Sequence, residues 1–292
     1  MRDWLRSSRS RLYALAAAAT VLIVLEAHGE DIRAVLAGQC TPPKGPPSEA
    51  NDQLLHIVRD RCVPNFRSSG DPSPCAAIEP GSGNDLEAGS AILKDRKPGA
   101  HYLTIAVRPI TGIESPLLLA AGTPNYFSTA WANRGYLAAV LSHTVPRDAV
   151  GLAVNSVCAR GQEQLHIHIE CLRRDIHDTL RAVSGNMSPG HWTTLAIAGS
   201  TYDAIRVSSE GLDAFDPFKM LAEHLASTGR KLSAETSLVT AGVQVGDAPG
   251  FVILSHDTRP SGEQLLDPNC EISAGPSESG RDIGDPRDRP LP

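Results

Sequence analysis

The stretch from residue 164 to residue 171, Gln-Leu-His-Ile-His-Ile-Glu-Cys, constrains the fold more than any other part of the chain. Apolar and polar residues alternate along it, and a period of two predicts a β-strand with one apolar and one polar face. The polar face, which we expect to be exposed, carries Gln164, His166, His168 and Glu170. Two neighbouring imidazoles are unfavourable unless a ligand holds them, and a phosphoryl group or a metal ion is suited to this.

A short polar turn connects this strand to an apolar run at residues 151–156. The two runs and the turn between them predict a β-hairpin. Gly161 allows a ligand to approach the backbone closely, and the guanidinium of Arg160 suits phosphate oxygens. Asn155 and Gln162 supply amide donors. The hairpin therefore predicts an anion-binding site beside the two histidines.

This hairpin resembles the active-site segment of the histidine-triad (HIT) superfamily, whose members transfer or hydrolyse nucleotidyl groups. That superfamily carries an Asn, then a Gly-Gln pair, and then His-x-His followed by a third His or Gln. The residues that match in order and spacing are Asn155, Gly161, Gln162, His166 and His168. Glu170 stands where the third His or Gln would be. The resemblance implies that His168 is the nucleophile, and a shifted register that begins at Gln164 would make it His166 instead.

The same resemblance implies roles for the residues around the nucleophile. His166 would orient His168 or donate a proton, while Asn155, Gln162 and Arg160 would stabilise charge on the phosphoryl oxygens. Asp95, at the end of a predicted strand, corresponds to an aspartate that binds ribose hydroxyls, and a surface turn residue is an equal alternative. The scheme needs no metal and no other cofactor, because protein donors neutralise the phosphoryl charge.

Short motifs elsewhere narrow the resemblance to the CDP-diacylglycerol pyrophosphatase family, a membrane-anchored branch of the HIT clan. The likeness covers roughly residues 53–273. Its ordered motifs include Cys62-Val-Pro-Asn, Pro72-Ser-Pro-Cys, Glu114-Ser-Pro-Leu-Leu, Thr123-Pro-Asn-Tyr-Phe, Pro217-Phe-Lys-Met-Leu-Ala-Glu and Cys270-Glu-Ile. The implied reaction is hydrolysis of CDP-diacylglycerol to CMP and phosphatidate through a histidine-bound nucleotidyl intermediate.

Two alternatives remain open. One is an exported, disulfide-braced protein that binds a metal or a small anion through His166 and His168, with Glu170 as a further ligand. The other is a HIT-like hydrolase of soluble nucleotide diphosphates. Nucleic-acid binding is not expected, because the net charge is −6, from 27 basic and 33 acidic residues, and no basic patch with interleaved aromatics occurs.

Residues 1–27 predict a membrane anchor or a signal segment. Four arginines, the last of them Arg11, precede an apolar stretch at residues 12–25. This asymmetry predicts the N-terminus inside and the remainder outside. The stretch is short for a spanning helix, which needs about 20 apolar residues, but the family resemblance implies an uncleaved anchor. A proline-rich linker at residues 28–51 would then place the catalytic domain on the periplasmic side of the inner membrane.

All six cysteines lie beyond this N-terminal segment. An even number of cysteines in an exported chain indicates disulfide bonds. Free buried thiols are the alternative, favoured if the domain faces the cytoplasm. Four of the cysteines fall within the motifs that carry the family resemblance. On that basis we predict the pairs Cys62–Cys75 and Cys171–Cys270.

Residues 52–273 form the predicted catalytic domain. The predicted helices are 52–61, 125–141, 174–183 and 217–225, and the further predicted strands are 91–95, 102–107, 202–207, 237–245 and 250–255. Frequent hairpins without βαβ alternation predict an α+β fold, a HIT-like antiparallel sheet with flanking helices. A repeated element order after Arg174 marks residues 190–273 as a candidate degenerate second lobe. Residues 63–90 predict a loop, and the tail at 274–292 predicts disorder.

Overall fold

The computed structural model of this chain describes residues 52–257 and 261–273. The predictions for the anchor at 1–27, the linker at 28–51 and the tail at 274–292 lie outside these residues. Within the described ranges, no helix is both long enough and apolar enough to cross a membrane. The described part therefore corresponds to the predicted catalytic domain.

The described residues combine one antiparallel sheet with helices on both of its faces, which confirms the α+β class. The strands are β1 (Ala77–Glu79), β2 (Ser90–Lys94), β3 (Tyr102–Ala106), β4 (Val150–Val154), β5 (His166–Leu172), β6 (Trp192–Ile197), β7 (Ser200–Ser208), β8 (Ser237–Val245), β9 (Ala248–His256) and β10 (Leu266–Asp267). The helices are α1 (Gln53–Ile57), α2 (Val63–Ser69), α3 (Tyr126–Ala132), α4 (Tyr136–Leu141), α5 (Arg174–Val183) and α6 (Pro217–Ser227).

The sheet has the strand order β1-β2-β3-β5-β4-β8-β9-β7-β6, and the short β10 pairs with β5. Its two halves meet where β4 lies beside β8, with Gly151 opposite Ala241. When the short edge strand β1 is set aside, each half places its first, second, fourth and third strands in that order from its outer edge to this junction. In each half the chain also forms helix between its second and third strands. The two halves therefore share one topology.

Strand β5 is central, with β3 on one side and β4 on the other. Ile167 and Ile169 point into the main apolar core, which α3 and α6 cover. The opposite face carries two separate apolar clusters, one under α1 and α2 over β2 and β3, and one under α5 over β8 and β9. His168 and its polar neighbours lie on this face between the two clusters. The position of β5 in the strand order thus places the polar row between two blocks of apolar packing.

Our expectation that the polar face of β5 is exposed was wrong. All seven residues of the strand are buried, with His168 4 % exposed and Glu170 0 % exposed. The reason is that segments distant in sequence, among them residues 52–62 and 261–267, lie over this face. Period-two patterning separates the two faces of a strand, but it does not say what covers the polar one.

The loop predicted for residues 63–90 was wrong at its beginning. Helix α1 continues through a wider turn at Val58–Cys62 into α2, which ends where Gly70 adopts a φ of 77°. Pro64 lies at the start of α2, directly after the wider turn. The predicted helix at 125–141 is present as α3 and α4, separated by a tighter turn at Asn133–Gly135. Strand β6 was not predicted.

Both predicted disulfides are confirmed. Cys62 is bonded to Cys75, and Cys171 is bonded to Cys270 across 99 residues of sequence. The second bond joins the histidine strand β5 to the C-terminal segment, beside the pairing of β10 with β5. Two disulfides in one domain are typical of an extracytoplasmic compartment.

Candidate active site

A cavity of about 380 Å³ opens at the polar face of β5. The predicted site residues that line it are Asp95, Asn155, Gly161, Gln162, His166 and His168. Arg160 is not among its lining residues. Helix α1 and the turn between β2 and β3 form further walls, and Glu263 from the C-terminal segment completes them. The fold therefore brings together six of the seven predicted catalytic and binding residues.

The side-chain amide of Asn155 sets the proton positions on His168. Its Oδ1 accepts a hydrogen bond from the backbone N–H of Glu263 at 3.1 Å, so the orientation of the amide is fixed. Nδ2 then lies 3.2 Å from Nε2 of His168, and an amide nitrogen can only donate. Nε2 of His168 therefore holds a lone pair, and the ring proton is on Nδ1. An unprotonated Nε2 is the form in which an imidazole attacks phosphorus.

Behind His168 lies a buried pair, His101 and Glu170, of which the sequence did not single out His101. Nδ1 of His168 is 2.8 Å from Nε2 of His101, which immediately precedes β3, and the two rings stack with centroids 5.0 Å apart. Oε1 of Glu170 lies 3.0 Å from the same nitrogen of His101. His101 was one of several histidines without a distinguishing pattern, and only the pairing of β3 with β5 reveals its place.

The Glu170 carboxylate is 0 % exposed, and neither of its oxygens meets hydrogen-bond geometry with a described residue. Burial by itself raises the pKa of this carboxyl group, but the neighbouring imidazoles of His101 and His168 outweigh burial and hold the pKa below its ordinary value. Glu170 is therefore a buried anion aimed at the junction of two histidines. Such an anion stabilises positive charge that reaches either ring.

His166 is held differently from His168. Its Nδ1 lies 2.7 Å from the backbone carbonyl oxygen of Gln164, which can only accept, so this nitrogen carries the proton. Burial, followed by the proximity of His168, lowers the pKa of His166 to about 4. The ring is therefore neutral near pH 7, with an unprotonated Nε2. In this state His166 can accept a proton, whereas a proton-donor role would need acidic conditions.

Glu263 is a second residue that sequence reasoning missed. Its Oε2 lies 3.1 Å from Nδ2 of Asn155 and 3.6 Å from Nε2 of His168, and its Oε1 lies 2.5 Å from Nζ of Lys97. Burial raises the pKa of Glu263, but His168, Lys97 and Asn155 together lower it to about 2. One signal could have found it. The predicted Cys171–Cys270 bond brings residues a few positions before Cys270 to the histidine strand.

The other predicted binding residues are tied into the surrounding loops. The guanidinium of Arg160 is almost completely buried and donates to both carboxylate oxygens of Glu114 and to Glu163. Burial lowers the pKa of Arg160, but these two carboxylates outweigh it and raise the pKa above its ordinary value. The Oε1 of Gln162 accepts from the backbone N–H of Leu54. Asp95 lies at the end of β2, and its Oδ1 accepts from a backbone N–H two residues later.

The described site also offers donors for a divalent cation. One ligand atom each from His101, His168, Glu170 and Glu263 lie within 4.8 Å of one another. Imidazole nitrogens and carboxylate oxygens are ordinary ligands of zinc and related metals. The same His168 cannot bind a metal through Nδ1 and keep an unprotonated Nε2 as a neutral imidazole, so metal binding there would suppress attack by Nε2.

The arrangement has the parts that attack on a phosphoryl group requires. An imidazole with an unprotonated Nε2 lines a cavity, a buried carboxylate lies behind it, and amide and ammonium donors lie nearby. The antiparallel α+β sheet and this site together fit the class of phosphoric anhydride hydrolases.

Comparison with known proteins identifies the family within this class. The family profile of CDP-diacylglycerol pyrophosphatase matches residues 49–274. The CDP-diacylglycerol pyrophosphatase of Yersinia pestis is 34 % identical over 229 residues, which is 76 % of this chain and 84 % of the relative. The chain belongs to the CDP-diacylglycerol pyrophosphatase family, whose members hydrolyse CDP-diacylglycerol.

Proposed function

We propose that this chain hydrolyses CDP-diacylglycerol to CMP and phosphatidate, and that His168 carries the cytidylyl group between two steps. One observation carries the mechanism: the amide of Asn155 leaves a lone pair on Nε2 of His168. Neutral imidazole is a competent nucleophile near pH 7. Membership of the family supports the substrate.

In the first step, Nε2 of His168 forms a bond to the phosphorus attached to cytidine, and the bond from that phosphorus to the phosphatidate oxygen breaks. Phosphatidate leaves as a phosphate monoester anion, which needs no proton from the protein. The attacking ring becomes positively charged, and its Nδ1 proton passes to Nε2 of His101, 2.8 Å away. Glu170, 3.0 Å from that nitrogen, then neutralises the imidazolium of His101. This ion pair forms only as the reaction proceeds, so it favours the transition state over the bound substrate.

In the second step, water attacks the phosphoramidate. A phosphorus–oxygen bond forms, the phosphorus–nitrogen bond breaks, and the proton returns from His101 to Nδ1 of His168, so that the imidazole leaves neutral. His166 takes the proton of the attacking water, because its Nε2 is unprotonated near neutral pH. CMP is then released.

The other predicted residues bind or position the substrate in this proposal. Asp95 at the cavity wall binds the ribose hydroxyls, while Gln162 and the backbone beside Gly161 approach the phosphoryl oxygens. Arg160 does not contact the substrate in this proposal and instead stabilises the turn between β4 and β5. Its ion pairs with Glu114 and Glu163 hold the loop that carries the amide donors. It is therefore a positioning residue.

The apolar part of the cavity suits the lipid portion of the substrate. Leu54, Ile57, Leu93 and Leu103 line the same cavity as the histidines. Helix α1, which contributes two of these side chains, follows the predicted linker directly in sequence. We therefore infer a single-pass anchor in the inner membrane, with the catalytic domain on the periplasmic side. The disulfides support an extracytoplasmic location.

We also infer that the domain is HIT-like and that residues 190–273 are a degenerate second lobe. The shared strand order of the two halves of the sheet supports this. The strand that corresponds to β5 in the second half is β9, which carries Phe-Val-Ile-Leu at residues 251–254 instead of alternating histidines. The reactive histidines then come from the first half alone, while the second half completes the sheet and is followed by the C-terminal segment that carries Glu263.

Purified full-length protein and three variants test the mechanism, with CDP-diacylglycerol, CDP-choline and ADP-ribose as substrates. His168→Ala is expected to lose about a thousandfold or more in kcat. Glu170→Gln keeps the side-chain shape without the charge and is expected to lose roughly ten- to a hundredfold in kcat with little change in KM. Wild-type protein quenched during turnover should carry an acid-labile cytidylyl group, and His166→Ala should accumulate it. Substantial activity in His168→Ala, with no adduct in His166→Ala, would assign the nucleophile to His166.

A second candidate is metal binding, which the four converging donors of His101, His168, Glu170 and Glu263 favour. Elemental analysis of the same purified protein distinguishes metal binding from metal-free hydrolysis. Stoichiometric zinc or copper, together with activity lost in EDTA, would support a metal function. Full activity of EDTA-treated, metal-free protein would exclude it.

A further inference from the structure

The carboxylate of Glu263 lies where the proposed mechanism needs a phosphoryl group. Its Oε2 is 3.6 Å from Nε2 of His168, close to the roughly 3–3.5 Å at which reacting atoms are held before attack. The same oxygen is 3.1 Å from Nδ2 of Asn155. An anion therefore already lies beside the nucleophile and contacts the amide donor that would bind the substrate.

Lys97 supplies the third contact of this internal anion. Its Nζ lies 2.5 Å from Oε1 of Glu263, and both side chains line the cavity that contains His166 and His168. Lys97 belongs to the rim turn, residues 94–97 with the sequence Lys-Asp-Arg-Lys, which connects toward β3. Three cations in four residues form a local positive site on a chain whose net charge is −6.

Hydrogen bonds within the rim turn fix its backbone and leave the Lys97 side chain directed toward the cavity. Nζ of Lys94 donates to the backbone carbonyl oxygens of Asp95 and Lys97, and Oδ1 of Asp95 accepts from the backbone N–H of Lys97. These contacts hold the backbone of the turn. The side chain of Lys97 stays half-exposed, with its ammonium group directed at Glu263. Only the Lys97–Glu263 pair must open for another anion to reach the ammonium group.

The backbone of Glu263 is likewise fixed by hydrogen bonding, whereas its side chain is held by the contacts with Lys97 and Asn155 described above. Its backbone N–H donates to Oδ1 of Asn155, and Ser261 donates to the same oxygen. Leu265, two residues later, is fully buried. Rotation of the Glu263 side chain therefore leaves the segment in place. It also leaves the amide of Asn155 oriented, so Nδ2 can donate to a phosphoryl oxygen in place of the Glu263 carboxylate.

We propose that Glu263 is an internal stand-in for a phosphoryl group and that Lys97 is a binding residue for the diphosphate of the substrate. Substrate displaces the Glu263 carboxylate from Lys97 and Asn155 and takes over both contacts. The ligand class is a diphosphate, whose greater charge and number of oxygens allow it to compete with one carboxylate. This inference rests on the proposed function, because it places the diphosphate at His168.

Two variants test the proposal through equilibrium binding of inorganic diphosphate, measured by calorimetry, and through KM for CDP-diacylglycerol. Lys97→Met keeps the length of the side chain without its charge and should weaken diphosphate binding and raise KM by about tenfold or more. Glu263→Gln removes the competing charge and should tighten diphosphate binding by about threefold or more. Lys231→Met and Glu223→Gln, both exposed and outside the cavity, are the matched controls and should bind as the wild type does.

Diphosphate binding needs no turnover, so its outcome is separate from that of the proposed reaction. The wild-type protein could bind diphosphate through Lys97 without hydrolysing CDP-diacylglycerol. That result would overturn the proposed function, but the diphosphate-binding role of Lys97 would stand. Unchanged binding by folded Lys97→Met, checked by circular dichroism, would overturn the role of Lys97. Unchanged or weaker binding by Glu263→Gln would overturn the stand-in role of Glu263.

Discussion

Asn155 decides which nitrogen of His168 is the nucleophile, although it makes no bond to the reacting phosphorus in the proposed mechanism. The tautomer of His168 follows from two hydrogen bonds whose donor and acceptor are fixed by chemistry. A backbone N–H orients the amide, and the amide then orients the imidazole. His166, two residues away on the same strand, has the same tautomer, but its Nδ1 proton is held by a backbone carbonyl oxygen. Two chemically identical side chains thus have their Nδ1 protons held by different partners and differ in the roles they can take.

The lowered pKa of His166 predicts how stability depends on pH. The unfolded chain protonates this histidine near pH 6.5, whereas the native state does so only near pH 4. Between these values the unfolded state binds more protons, so the free energy of unfolding falls as pH falls. From pH 7 to pH 4.5 the expected loss from His166 is about 2–3 kcal/mol. Urea denaturation at several pH values should show that His166→Gln is less sensitive to pH in this window.

The two carboxylates beside His168 contribute little to the pH dependence between about pH 7 and pH 4.5. Glu170 and Glu263 have lowered pKa values, so their stabilisation is lost only as pH falls below about 4.5. The exposed His191 serves as the control, and His191→Gln should keep the wild-type slope. Equal slopes for wild type and His166→Gln would contradict the assignment of a neutral, buried His166.

At the scale of secondary-structure elements, the C-terminal segment shapes the site as much as the histidine hairpin does. The Cys171–Cys270 bond and the pairing of β10 with β5 hold residues 261–273 against the histidine strand. From this segment come the backbone N–H that orients Asn155 and the carboxylate of Glu263. A strand near the middle of the chain and the segment at residues 261–273 therefore form one candidate site.

Removal of this disulfide should affect activity through Asn155. In the Cys171→Ala/Cys270→Ala double variant we expect a loss of roughly 2–5 kcal/mol in the free energy of unfolding. We also expect a lower kcat under conditions where the protein is still folded, because the C-terminal segment no longer holds the amide of Asn155. Urea denaturation and steady-state kinetics measure the two effects.

The Cys62→Ala/Cys75→Ala double variant is the matched control for this prediction. It removes a bond that closes only 13 residues of sequence and whose two cysteines do not line the cavity. It should lose stability and keep its kcat under folding conditions. Unchanged kcat in the Cys171→Ala/Cys270→Ala variant would show that the C-terminal segment stays in place without its disulfide.

At the scale of the whole molecule, one sheet built from two halves of the same strand order supports a single site. The second half contributes β8 and β9 to the packing under α5, and β8 pairs with β4 of the hairpin that carries Asn155. The apolar residues of β9 pack where the first half has histidines. The second half therefore stabilises the site through the sheet and adds no reactive groups of its own at the corresponding strand.

The predicted anchor leads to a prediction about location. A reporter fused after Ser273 should be active as alkaline phosphatase, which needs the periplasm, and dark as a fluorophore that folds only in the cytoplasm. Full-length protein should stay in membranes after a carbonate wash, because an apolar anchor is not released by high pH. Release by the wash, with a mature N-terminus near residues 27–30, would show a cleaved signal segment instead.

The sequence by itself determined the local features of this protein. Alternation predicted the histidine strand, and Asn155 with its Gly-Gln turn predicted the hairpin and the anion site. Resemblance in short motifs predicted the disulfides, which the structure contains. These features depend on residues close together in sequence or on recognisable motifs. The period of a strand and the chemistry of a turn are local properties.

The tertiary structure alone decided which distant residues complete the site. His101 reaches His168 through the pairing of β3 with β5, and Glu263 reaches it through the C-terminal segment. The burial of the polar face of β5 has the same origin. Strand pairing and packing join residues tens of positions apart, and no local pattern records which partner a strand will choose. The proton positions on His168, and with them its proposed role as nucleophile, depend on those distant partners.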